Sequence, residues 1–96
     1  MEQTPQQPLF PLGQVVTTPA ALAAIAKAGQ GPPEFLARHA NGDWGDLCER
    51  DRQENQIGLE HGYPLVSAYH TAAGDELWII TDRQLSTTTI LLPHEY

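Results

Sequence analysis

Positive charge is scarce in this chain: only five Lys and Arg residues are scattered over 96 positions, against twelve Asp and Glu, for a formal net charge of −7. Proteins that grip nucleic acid displace counterions with clustered Lys and Arg, so direct nucleic-acid binding is not expected. Cysteine is nearly absent. A lone Cys48 excludes an internal disulfide and any multi-thiolate metal centre, and its expected role is packing as a small apolar side chain rather than reaction. No apolar run approaches the roughly 20 residues that a membrane helix needs. The opening MEQTPQQPLFPLG lacks the basic residue, apolar stretch and small-residue cleavage pattern of a secretory signal. A soluble, cytoplasmic protein is the expectation.

What is present suits one folded domain. With 41% hydrophobic and 18% charged residues the composition is that of a globular chain, and two cores would each be too small to fold without metal or disulfides. Residues 1–12 are rich in Gln and Pro and read as a flexible tail on which Leu9 and Phe10 are available to dock; residues 13–96 form the domain. Val15 and Val16 centre a short strand over Gln14 to Thr17. Thr18 and Pro19 then open a helix as N-cap and first-turn residue, Leu22 and Ile25 supply its larger apolar contacts, and Gly29 stops it. Pro32 and Pro33 begin a second helix with Phe35, Leu36 and His39 on one side. Trp44, in the glycine-flanked turn that follows, reads as a plug between helices and sheet, with an exposed binding anchor as the alternative.

A third helix has two candidate starts, since Asp46-x-x-Glu49 and Asp51-x-x-Glu54 both resemble reciprocal caps, and Gly62 provides its stop. With the earlier start, Leu47, Cys48, Gly58 and Leu59 surround an inward stripe whose middle is held by Asp51 and Asn55. Those two polar side chains either bind backbone of the Trp44 loop or a sheet end, or line a small polar site. A start at Asp51 removes much of the conflict. From Pro64 the period changes to that of strands: Leu65 to His70, Glu76 to Thr81 and Thr87 to Leu92, separated by turns at 73–75 and 82–84. Leu77-Trp78-Ile79-Ile80 is apolar at successive positions, as befits a central strand with both faces in use.

The expected fold is therefore α+β, in the order β-α-α-α-β-β-β. Helices pack on one face of a small antiparallel sheet, a three-stranded meander with room for a fourth, N-terminal strand. That layout resembles bacterial mRNA-cleaving toxins, but their activity requires a basic RNA-holding surface that this acidic chain lacks. A closer resemblance is carried by LGQVVTTPAAL, FLARHANGDWGDL, ENQIGLEHG and LWIITDRQLSTTTILLPHEY. Over residues 12–96 these segments resemble the small "plasmid-related" proteins of bacterial plasmids and integrated elements. The resemblance implies an accessory role on a mobile genetic element and brings no catalytic residues with it.

Negative charge is concentrated between Asp43 and Glu60, where six carboxylates face only Arg50 and Arg52, leaving −4 of the total on one helix and its entry loop. This pattern points to a non-enzymatic interaction protein whose acidic helix meets a basic protein surface of a host defence or nucleic-acid-processing complex. Anti-restriction or anti-CRISPR inhibition is the concrete form. The candidate contact residues are Glu49, Glu54, Glu60, Asp43, Asp46 and Trp44. Two other classes stay open: a small hydrolase or nuclease-like enzyme with a polar site gathering Asp51, Asn55, His61 or His70 with Trp44, and a homodimeric module joined through the two-sided strand around Trp78. His39, Asp43 and Asp46 match no recognised metal pattern, because Gly42 interrupts the helix between them. The threonines at 87–89 suit a strand with outward hydroxyls, and lack the glycines and lysines of a phosphate site. No cofactor or metal is expected.

Overall fold

The computed structural model describes residues 8–96, and the first seven residues of the expected tail lie outside it. Its elements follow the order β1 (Gln14–Thr17), α1 (Pro19–Lys27), α2 (Pro32–Ala40), α3 (Glu49–His61), β2 (Leu65–His70), β3 (Glu76–Asp82) and β4 (Thr87–Leu91), closed by a 3-10 turn over Pro93–Glu95. The fold is α+β, with a four-stranded sheet of order β1-β4-β3-β2. The meander β2-β3-β4 is antiparallel and its register sets Ile79 opposite Ser67 on one side and Ile90 on the other. β1 adds to β4 in parallel, Val15 beside Thr88, so the complete sheet is mixed.

Strand alternation sorts side chains between two faces. Leu65, Ser67, Tyr69, Leu77, Ile79, Thr81, Thr88 and Ile90 are buried on the inner face, beneath α1 and α2. α1 starts where Thr18 Oγ1 accepts the Ala21 N–H (3.1 Å) and Pro19 takes a first-turn position whose N–H is not needed. Its buried residues are Ala21 and Ile25. Leu22, expected to share that burial, instead faces solvent, because it lies 100° around the helix from Ala21. Ala21 and Ile25 join Phe35, Tyr69, Leu77, Ile79 and Ile90 in the main core. A second cluster of Phe10, Trp44 and Leu65 draws in Leu12, Leu47 and Leu59. Residues 8–12 therefore pack on the domain: Phe10 is buried, and Leu9 N–H donates to the Ala40 carbonyl at 2.8 Å.

α3 has little apolar surface to bury. Only Asn55 and Gly58 are buried along its length, and hydrogen bonds anchor it instead. Arg52 donates to the carbonyls of Leu47 (3.0 Å) and Gly45 (2.6 Å) at its entry. Arg83 donates to the carbonyls of Gly58 (2.9 Å) and Leu59 (3.2 Å) in its last turn, where orphan carbonyls and the negative helix end favour a cation. The helix begins at Glu49 with Cys48 as N-cap, so neither Asp46 nor Asp51 caps it. Gly62 ends it in the left-handed region at φ 77°. Leu47 and Cys48 accordingly precede the helix, and Cys48 is exposed rather than packed.

Candidate functional site

The polar residue at the centre of α3 serves the edge of the sheet. β2 is an edge strand whose alternate backbone groups point away from β3, and an unpaired edge of this kind invites pairing with other chains. Asn55 Nδ2 donates to the Val66 carbonyl (2.7 Å) while its Oδ1 accepts the Val66 N–H (3.1 Å), so one side-chain amide replaces a neighbouring strand. Two residues along, the Ala68 N–H donates to the Trp44 carbonyl (3.1 Å) and the Ala68 carbonyl accepts the Asp46 N–H (2.7 Å). This bridge needs Gly45 at φ 73°, where any side chain would overlap the Ala68 carbonyl. α3 and the 44–46 segment thus close the β2 edge together.

The carboxylates named from the sequence divide into three groups. Asp43 is bound to Arg38 (2.8 Å), whose guanidinium holds that carboxyl below the usual range and is itself pushed up by the same bond. Asp46 meets His70 Nδ1 at 2.7 Å. Glu49, Glu54 and Glu60 are exposed on α3, but not on one stripe. At 100° per residue Glu49 and Glu60 lie about 20° apart, while Glu54 lies about 120° away from Glu60. Exposed Ile57 stands between Glu49 and Glu60 along the chain and about 60–80° from both. Trp44 lies away from this surface. It is buried against Phe10 (6.2 Å between ring centroids) and His39 (5.7 Å), which removes it from the surface residues available to a partner.

Four of the five Lys and Arg side chains are bonded to partners within the chain. Lys27 pairs with Asp75 (3.2 Å), Arg38 with Asp43, and Arg52 and Arg83 with backbone carbonyls. Arg50 and Arg52 are both exposed on α3, and of the two Arg52 is tied to the Leu47 and Gly45 carbonyls. The helix consequently presents unpaired negative charge to solvent.

Asp51 and Asn55 do share a concave surface, a groove of about 370 Å³ between α3 and the outer face of the sheet. Its floor is Val66, Trp78 and Ile80, and Tyr96 stands at one end. The partners required for an enzyme site are elsewhere. His61 stacks on Tyr63 (5.6 Å), His70 is paired with Asp46, and Trp44 belongs to the second core. Among the described residues no three His, Cys, Asp or Glu side chains are grouped to hold a metal, and His39 is separated from Asp43 and Asp46 by its burial. No helix among them is long and apolar enough to cross a membrane.

A polar network that the sequence reading missed runs through the core. His39 bonds Ser67 Oγ through Nδ1 and Thr81 Oγ1 through Nε2 (2.9 Å), Thr81 meets Thr88 Oγ1 (2.8 Å), and Thr88 donates to the Leu12 carbonyl (2.6 Å). Thr88 therefore points inward, contrary to the outward hydroxyl expected of it. Because the Leu12 carbonyl only accepts, the Thr88 hydroxyl must donate to it and accept from Thr81, which in turn accepts from His39 Nε2–H. The Nδ1 atom is left to accept from Ser67, giving a single neutral tautomer. Burial lowers the His39 pKa to about 4 and raises the Tyr69 hydroxyl to about 12. All four side chains of the network are buried, so the Ser67–His39 pair is a packing element that substrate does not reach.

Comparison with family models, curated proteins and solved structures returns no match for this chain.

Proposed function

We propose that this chain is a non-enzymatic interaction protein whose α3 surface, led by Glu49 and Glu60, docks on a basic surface of a nucleic-acid-processing or defence protein. One observation carries the reading: the chain's cations are largely spent on internal bonds while the carboxylates of α3 face water on a helix fastened at both ends. A rigid acidic surface raises association rates with basic partners and selects among them. Ile57 supplies an apolar contact beside the two glutamates. Inhibition of a restriction or CRISPR complex, on behalf of a mobile element, is the form suggested by the resemblance of residues 12–96 to plasmid-related proteins. Neither Trp44 nor Asp43 is needed for it.

The test is affinity capture with mass spectrometry, comparing the natural chain with Glu49→Arg/Glu60→Arg. Reversal should weaken capture of the principal partner about tenfold at low salt, and the difference should shrink as added salt screens exposed charges over ~8–10 Å. Equal capture by both proteins at every ionic strength rejects the docking face. A second reading, a homodimer joined through the sheet, is favoured by the half-exposed outer-face residues Val16, Trp78 and Ile80. Sedimentation at micromolar to millimolar concentration decides it, a constant monomer mass counting against the dimer.

A further inference from the structure

We propose that the groove between α3 and the outer sheet face is a cleft for an arginine side chain carried on an aliphatic segment of a protein partner. The proposal rests on the docking reading above and names the chemistry of a contact next to it. Asp51 and Glu54, three residues apart and so neighbours on the helix surface, form one wall. Val66, Trp78 and Ile80 form an apolar floor, and the Tyr96 ring stands edge-on to Trp78 with 5.5 Å between centroids. Two further carboxylates order the aromatic pair. Glu76 accepts the Trp78 indole N–H (3.0 Å), setting the ring's orientation and adding negative charge beside it. Glu95 accepts both the Leu92 N–H (2.8 Å) and the Thr18 hydroxyl (2.7 Å), which pins the turn that delivers Tyr96.

Charge complementarity specifies the occupant. Among the described residues none that lines the groove is cationic, neither Asp51 nor Glu54 takes part in an ion pair, and the Asn55 amide is turned to the Val66 backbone, which it holds by one donated and one accepted bond. A cation is the group that two carboxylates above an aromatic floor lack. Lysine keeps its hydration and acts as a point charge, whereas a guanidinium is planar, weakly hydrated, stacks on aromatic faces and meets carboxylates through a fork of donors. The volume of about 370 Å³ is at the lower end for ligand sites, enough for one long side chain and its aliphatic neighbours.

The experiment is a nitrogen-15 NMR titration of the full chain with a capped leucine-arginine-leucine tripeptide, against lysine and glutamine versions, up to about 10 mM, where a fragment of an interface still registers. The arginine peptide should shift the Trp78 indole and Val66 amide signals saturably. The lysine peptide should bind about fivefold more weakly and the glutamine peptide should produce no saturable shift. Asp51→Asn/Glu54→Gln, both at exposed positions, should abolish the arginine response while leaving the remaining spectrum unchanged. Equal response to arginine and glutamine, no response to arginine, or shifts confined to the Glu49–Glu60 side of α3 overturns the cleft. Glu49→Arg/Glu60→Arg lies outside the groove and should leave the titration unaltered. Failure of the docking reading and failure of the cleft are therefore separate results.

Discussion

Acidification should unfold this protein through His39 in a way that one substitution isolates. His39 is completely buried between Phe10 and Trp44, and both ring nitrogens are engaged as the neutral tautomer. Its pKa is about 4 in the folded protein, against roughly 6.5 for a free imidazole. As pH falls below 6.5 the unfolded chain binds a proton that the folded chain refuses. The stability from keeping this ring neutral is thus whole above pH 6.5 and is lost progressively as pH falls through about 4. A difference of about 2.5 pK units corresponds to about 3 kcal/mol, a large share of the stability of so small a domain. His39→Gln supplies the control, since glutamine keeps a donor and an acceptor but does not titrate. Urea unfolding followed by circular dichroism at pH 7.5, 6, 5 and 4 should show the natural protein ahead by about 1–3 kcal/mol near neutrality, the value of a satisfied buried polar pair. That lead should vanish or invert near pH 4. His61, His70, His94 and the carboxylates are common to both proteins and cancel in the difference. Parallel stability curves across the whole range would refute the argument, as would imidazole nitrogen shifts that place the proton on Nδ1.

Two other substitutions test how the β2 edge is closed. Asn55→Ala removes both bonds to Val66 and should lower stability by about 1–3 kcal/mol in urea melts; the exposed edge should also raise light scattering on heating. An unchanged melting point would mean that water replaces the amide without loss. Gly45→Ala combines a left-handed backbone with overlap at the Ala68 carbonyl and should lower stability by about 2–4 kcal/mol, with faster hydrogen exchange at the Ala68 and Asp46 amides. Normal protection at those two amides would show that the bridge survives.

Much of the fold was legible because its signals are local. Pro19 behind Thr18, the Pro32-Pro33 pair and Gly62 punctuate the helices at positions where only neighbouring backbone geometry matters. The change from helical to alternating spacing after Pro64 announces the meander, and the turn at 73–75 separates β2 from β3. The continuous apolar run at 77–80 also belongs to the central meander strand, between β2 and β4. The candidate site was legible only as a list of residue types. Six carboxylates between positions 43 and 60 are plain in the sequence. That Asp43 is occupied by Arg38, Asp46 by His70, and Glu54 turned toward a groove is not.

The sequence by itself determined the helix and strand succession, the acidic excess and the polar interruption in α3, since propensity, capping and charge act over a few residues. Tertiary structure alone decided what the interruptions are for. Asn55 resembles a misplaced polar residue until Val66, eleven positions away, presents an N–H and a carbonyl at hydrogen-bonding distance. Asp46 resembles a helix cap until His70 draws its carboxylate elsewhere, and the helix then begins at Glu49. Thr88 resembles an outward strand hydroxyl until the β3–β4 register sets it opposite buried Thr81, on the same face as Ile90, and the Leu12 carbonyl arrives to accept its proton. In each case the partner is distant along the chain, and a polar group's energy depends on whether a partner of the right sense lies within about 3 Å once water has been excluded.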